Sequence, residues 1–290
     1  MFWRPRTISK LRVAPAAPRA REGLGIVLIV RNEADHIAEW ARFHAAAGVR
    51  HIVVYDNGCT DATIPRLQAE IESTVIPWDQ KLHDSRSGAE IHNQVLAYAH
   101  AVRNFGPDFR WLAFIDPDEF LIPAAAPDLP DALAPLADHP QVSLPWHMFG
   151  RNGFDAPPPG GVLANYLMRA DPQRARHALN WKCIVDPARV TDVRVHGFSV
   201  DGADISVNDQ GRLALHRDRV NPAFYSRAAI QLNHYYTRSG SELDAKMARG
   251  SNKTVAAQKH RQRVMRIVDE IEADTVRDTL ARDYAARILG

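Results

Sequence analysis

Asp116-Pro117-Asp118-Glu119 sets three carboxylates within four residues, directly after the apolar run Trp111-Leu112-Ala113-Phe114-Ile115 and directly before Phe120-Leu121-Ile122. The rigid proline aims the oxygens of Asp116 and Asp118 at one place, and hard oxygen ligands suit Mg²⁺ or Mn²⁺. Unpaired acids beside apolar surface are costly, so these flanks argue for a site that gathers a cation rather than for a solvated loop. Two other polar clusters follow apolar runs in the same way: Arg31-Asn32-Glu33 after residues 26–30, and Asp56-Asn57-Gly58 after residues 52–55. Near the other end, Lys246 and Arg249 stand one helical turn apart and could together offer positive charge to an anion.

Elements must hold these clusters, and their pattern is that of an α/β domain. The unbroken apolar run at 26–30 suits a strand buried on both faces, with Asn32 as the cap of a helix carrying Ile37, Trp40, Ala41 and His44 until Gly48 stops it. A second strand over 52–55 is followed by a helix capped by Thr60 or Asp61 and running through Leu67 and Ile71. Val75 and Ile76 mark a third short strand, after which Ile91, Val95, Tyr98, Val102 and Phe105 share one helix face. The fourth strand, 111–115, ends at Asp116. Strands and helices alternating at this pitch imply a mostly parallel sheet with helices on both faces, and ligands bind beyond the carboxyl ends of such strands. That rule places Arg31, Asn32, Glu33, Asp56, Asn57, Asp116 and Asp118 on one rim.

From Gln141 onward the apolar runs at 142–146, 162–168 and 183–185 are short and broken by Pro- and Gly-rich loops, which predicts mixed or antiparallel strands. Helices are expected from Ser241 to Leu289 with a break near Gly250-Ser251. The chain thus divides into a flexible basic lead over 1–22, one domain over 23–255 and a helical tail over 256–290.

The motifs Val30-Arg31-Asn32-Glu33, Asp56-Asn57-Gly58-Cys59-Thr60-Asp61 and Phe114-Ile115-Asp116-Pro117-Asp118-Glu119-Phe120 resemble the nucleotide and metal motifs of family 2 glycosyltransferases. Trp146, Phe149-Gly150, Gly153, Lys182-Cys183-Ile184-Val185, Val195-His196, Asn233-His234-Tyr235-Tyr236, Ser239, Lys246 and Arg249-Gly250 resemble glycosyltransferase family 92 and its bacterial relatives. The likeness covers residues 24 to 255, and the spaced set rather than any one element carries it. It implies a GT-A type fold, Rossmann-like in its first half, with a mixed-strand acceptor half. It also implies inverting transfer of a sugar from a nucleotide-sugar donor, UDP-linked, to a hydroxyl of a glycan or lipid-linked glycan. By the same resemblance Arg31, Asn32, Glu33, Asp56 and Asn57 would line the nucleotide pocket, with Asp56 hydrogen-bonding the base or ribose. Asp116 and Asp118 would hold Mn²⁺ or Mg²⁺ against the diphosphate, with His234 completing the metal's shell. Lys246 and Arg249 would face the same phosphates. The acidic pair that usually supplies the base in family 2 is not obvious, and Asp155, His196, Asp201 and Asp204 are candidates without a leader.

Composition narrows the rest. With 36 basic and 34 acidic residues the net charge of +2 gives no field suited to nucleic acid. The first 22 residues carry Arg4, Arg6, Lys10, Arg12, Arg19 and Arg21 against Glu22 alone, a lead that could rest peripherally on an anionic membrane surface. No apolar run is long enough to span a bilayer or serve as a secretory signal, and Cys59 and Cys183 cannot build a disulfide scaffold, so a cytoplasmic location is expected. Two other functions compete. A haloacid dehalogenase-like phosphohydrolase also places two aspartates one residue apart after a buried strand, but there the motif follows the first strand, whereas three strand candidates precede Asp116 here. A degenerate transferase fold could instead bind glycans through Trp146, Tyr235 and Tyr236 without chemistry.

Overall fold

Four apolar runs form the parallel half of the main sheet in a computed structural model that describes residues 7–15, 17–171, 180–248 and 254–290. Leu24–Val30 lies between Val49–Asp56 and Trp111–Phe114, and Ser73–Pro77 pairs with the far side of Val49–Asp56. The side-chain period of two sorts each strand between two cores. Ile26, Leu28, Ile52 and Val54 pack with Trp40 and Phe43 of the helix Ile37–Ala46. Val27, Val53 and Tyr55 pack with Val95, Tyr98 and Val102 of the helix Asn93–Asn104 on the other face. Both faces are covered, which is why these strands read as continuous apolar runs.

Asn32 is not the helix cap. The helix begins at Ile37 after His36 and has no side-chain cap. Asn32 instead takes a left-handed φ of 52°. Its Nδ2 donates to Thr60 Oγ1 at 3.2 Å and its Oδ1 accepts from Thr60 N at 2.8 Å, tying two strand-end loops together. An Asn tolerates this backbone because its short amide bonds locally. The helix then anchors the segment beyond the acidic turn: Trp40 Nε1 donates to Glu119 O at 2.6 Å, and His44 Nε2 accepts from Leu121 N at 3.3 Å.

The sheet changes character as expected. Trp181–Val185 runs antiparallel to Trp111–Phe114, and Gln141–Met148 antiparallel to Trp181–Val185. Ile205–Val207 and Leu213–Leu215 extend that edge. A branch strand, Ile230–His234, is parallel to 146–148 and antiparallel to Glu119–Pro123. Two local expectations fail. Of the run at 162–168 only Met168, which opens the strand Met168–Ala170, is in a strand, since Val162–Asn165 closes a helical turn whose first amides are held by Glu39 at 2.7 and 3.0 Å. The C-terminal stretch has the helices Gly240–Ala248, Thr254–Ala273 and Leu280–Leu289, but Thr275–Arg277 is a strand paired with Met168–Ala170. The expected break at Gly250-Ser251 lies outside the described residues. Ala281 and Tyr284 join the main core, and Val264, Val268 and Ile271 are buried. No helix of the described residues is long and apolar enough to cross a membrane.

The basic lead, expected to be flexible, makes ordered contacts where it is described. Leu11–Arg12 pairs antiparallel with Val190–Arg194, and Ile8 bridges Ile91. Arg19 Nε donates to Asp108 at 2.6 Å, while Arg21 pairs with the buried Asp186, which also accepts from Arg110 at 3.1 Å. Deleting residues 1–22 is therefore expected to lower Tm by several degrees, at about 2–4 °C per kcal/mol lost. A scanning-fluorimetry melt that does not move would show that this pairing adds nothing to stability.

Candidate active site

The acidic turn is held by its own third acid. Glu119 N donates to Asp116 O at 3.1 Å, and the Glu119 side chain turns back so that Oε2 accepts from Asp116 N at 2.8 Å. Below it lies Lys182, fully buried on the neighbouring antiparallel strand. Its Nζ is 2.6 Å from Asp116 Oδ2 and 3.5 Å from Glu119 Oε2. Gln94 Nε2 takes the other Asp116 oxygen at 3.1 Å. Burial pulls the Lys182 ammonium down, but Asp116 and Glu119 outweigh it and hold its pKa well above the ordinary value. For Glu119, burial dominates, and the Asp116 and Asp118 charges push the same way against Lys182, so its carboxyl lies well above the usual range and favours the neutral acid.

His234 reaches the turn through strand register. It pairs opposite Glu119 in the antiparallel ladder, and Tyr235 N donates to Asp118 O at 2.8 Å. His234 Nε2 is 3.4 Å from Asp118 Oδ2, and Nδ1 is 3.9 Å from Glu119 Oε1. Those last two atoms are buried without a hydrogen-bond partner. Lys246 Nζ reaches the same Asp118 oxygen at 2.8 Å and lies 4.3 Å from the centre of the Tyr236 ring. Burial pushes the Asp118 carboxyl up, yet Lys246, His234 and Arg238 together hold it well below the ordinary value. Burial likewise lowers His234 despite the opposing pull of Asp118.

These side chains open on a cleft of about 340 Å³ lined by Asn32, Glu33, Asp118, Arg238, Glu242 and Lys246 among others. Arg238, at a left-handed φ of 49°, donates to Glu33 at 2.8 Å across its mouth. Asp56 and Asn57 are not in this lining. Asp56 Oδ1 accepts from Cys59 N at 2.7 Å, and Asn57 Oδ1 accepts from Asn93 at 3.2 Å. Arg31 is exposed at the strand end. Arg249 lies outside the described residues.

Asp118 and His234 fit a cation as a pair, because two donors each about 2 Å from one ion sit about 3 Å apart. The expected third ligand does not join them. Both Asp116 oxygens are engaged by Lys182 and Gln94, and no group of three or more His, Cys, Asp or Glu among the described residues could hold a metal ion. Gln94 and Arg238 of this centre were not among the sequence candidates, while Glu119 was read only as the third acid of the turn and Lys182 only as part of a resembling motif. Lys182 had a visible signal, a lysine opening the buried run 183–185. Gln94 and Arg238 had none.

The parallel sheet, its antiparallel extension and the acidic turn between them make this an α/β domain of the GT-A type. The sequence model of glycosyltransferase family 92 matches residues 28–265, and the chain belongs to that family. It is similar to a family 92 protein of Oryza sativa subsp. japonica, 26% identical over 54% of this chain and 26% of that one. It is also similar to a family 92 protein of Ricinus communis, 28% identical over 50% of this chain and 26% of the relative. The chain thus spans about a quarter of the length of these curated relatives. Among solved structures, a mycobacterial protein aligns at 17% identity with a TM-score of 0.37, covering 76% of this chain and 70% of the other. Family membership sets the phosphohydrolase reading aside.

Glu242, on the cleft wall, pairs with His36 and accepts from Ser239 Oγ at 2.6 Å. Burial raises its carboxyl, but these partners outweigh it and bring the pKa from 4.5 to about 2. A depressed carboxylate stabilises the fold above its unfolded pKa, and that contribution is lost as pH falls through the folded value. Glu242→Gln should therefore melt lower than the parent at pH 7, with the gap closing between pH 4.5 and about 2. A gap independent of pH in paired thermal melts would remove the carboxylate's charge from the explanation.

Proposed function

We propose that the chain transfers a hexose from a UDP-linked donor to a hydroxyl of a glycan or lipid-linked glycan, with inversion, using a divalent cation held by Asp118 and His234. The observation that carries this reading is the meeting of Asp118 with His234 and Lys246, both far from it in sequence, where Asp118 and Lys246 line a cleft shared with Asn32 and Glu33. Breaking the sugar–phosphate bond leaves growing negative charge on the nucleoside diphosphate, and positive groups fixed where that charge develops lower the barrier. Mn²⁺ or Mg²⁺ bound here would supply Lewis-acid stabilisation of those oxygens. Lys246, on the helix Gly240–Ala248, brings a further positive charge to the same Asp118 oxygen. Asn32 and Glu33, which line the same cleft, would then face the donor's nucleotide. Lys182 contributes by fixing Asp116, so that the turn carrying Asp118 cannot drift.

A glycan-binding module without chemistry has no use for this arrangement of charge. Asp118→Asn conserves shape while removing one anionic oxygen, and is expected to weaken Mn²⁺-dependent UDP binding at least tenfold, about 1.4 kcal/mol, and to melt somewhat lower at pH 7 because the depressed Asp118 carboxylate also stabilises the fold. Titration calorimetry reads this directly, and unaltered affinity with Mn²⁺ present removes Asp118 from the cation site. The imidazole must be neutral to ligate. Because burial lowers His234 below its ordinary 6.5, metal-linked UDP affinity should stay level down to pH 6.5 and fall only at more acid pH. His234→Ala should weaken affinity and abolish that fall together. A variant that binds more weakly yet keeps the parent's pH profile would rule out His234 as the titrating ligand.

A further inference from the structure

We propose that His196 is the general base that removes the proton from the acceptor hydroxyl, acting through its Nε2; this rests on the transferase reading above. The other candidates are engaged or remote. Asp204 accepts from Arg194 at 3.1 and 3.2 Å and from Ser199 Oγ at 2.5 Å, and Asp201 Oδ2 accepts from Arg189 Nε at 2.8 Å. Asp155 is exposed and is not part of the cleft lining, in a loop whose backbone accepts from Gly240 and Ser241.

His196 is built differently. Its Nδ1 lies 3.2 Å from the Trp181 carbonyl oxygen, which can only accept, so the ring proton sits on Nδ1 and the lone pair on Nε2. Nε2 has no hydrogen-bond partner among the described residues and is not among the buried, unpaired atoms. Arg219, itself buried, locks the loop from behind: Nη2 donates to His196 O at 3.2 Å, while the guanidinium lies 4.9 Å from the centre of the Trp181 ring. A base fixed in one tautomer by a second group is the arrangement that nucleophile activation requires. The partly buried indole of Trp146 then links the two halves of the reaction. His196 meets it edge-on at 5.6 Å between ring centres and His234 meets it at 4.4 Å, so the base stands one aromatic ring away from the Asp118 cluster.

The charged groups facing His196 are Lys182, Asp116 and Arg219. Burial lowers its pKa to about 4, with Lys182 and Arg219 acting in the same direction and Asp116 against them, which leaves the imidazole neutral at pH 7. In the transfer, the acceptor oxygen forms its bond to the anomeric carbon as His196 Nε2 takes the hydroxyl proton. The anomeric C–O bond breaks, its electron pair leaves on the terminal phosphate oxygen of UDP, and the imidazolium returns its proton to solvent.

The probe is UDP release from UDP-hexoses with Mn²⁺ and water as acceptor, run beside Mn²⁺-dependent UDP binding. No release by the parent protein overturns the transferase reading and this inference with it. Given release by the parent, His196→Gln should bind UDP within about twofold of it yet turn over about 10²–10⁴ times more slowly. Added imidazole should restore part of the rate to His196→Ala, which a purely structural histidine would not allow. Turnover by His196→Gln within threefold of the parent overturns the base assignment and leaves the transferase reading standing. Parallel loss of UDP binding and turnover also overturns it, by making His196 a packing residue.

Discussion

Three carboxylates cannot share a buried turn unless positive charge is brought to them, and Lys182 is the group that makes this turn stable. Removing ions from water costs several kcal/mol each, and taking one partner from a buried pair typically costs about 3–5 kcal/mol. Asp116 ends a buried strand with Lys182 of the adjacent antiparallel strand set 2.6 Å beneath it. Glu119 relieves the remaining repulsion by favouring its neutral form.

The first half of the fold was legible because two-sided burial leaves a signature in the chain itself. Residues 26–30, 52–55 and 111–115 are continuous apolar runs since Ile26 and Val27 face different cores and both are buried. Where structure depends on partners far away in sequence, the signature is absent. Thr275–Arg277 is a strand because Met168–Ala170 offers an edge, although its surroundings have helical composition. Leu11–Arg12 is ordered by Val190–Arg194, which a basic, proline-punctuated lead does not announce. Asn32 reads as a cap by residue type, but its bonds to Thr60 join two loops that only the sheet brings together.

The site divides along the same line. Asp116 and Asp118 declare themselves by spacing, and His234 by the company of Asn233, Tyr235 and Tyr236. Their relation does not, because it is set by a ladder register that places His234 opposite Glu119. Gln94 and Arg238 are ordinary residues in the chain and become specific only through what they meet. His196 lies between these cases: its residue type suggested a base, but the choice over Asp204 and Asp201 needed the arginines that neutralise those two carboxylates.

The two lysines at the turn have opposite physical characters, and this bears on how an acidic turn can be both stable and receptive. Lys182 is 1% exposed, so withdrawing it from Asp116 would strand an ammonium in the interior at the full desolvation cost. Lys246 is 40% exposed on the helix Gly240–Ala248, so its ammonium itself loses little by moving into water, and it can leave the buried Asp118 once another cation takes its place there. Asp116 is therefore committed to the fold, and Asp118 is held by a cation that can be exchanged for another. Placing the permanent counter-charge under the first acid and the removable one over the second lets a single four-residue turn remain folded while one of its carboxylates stays available for binding.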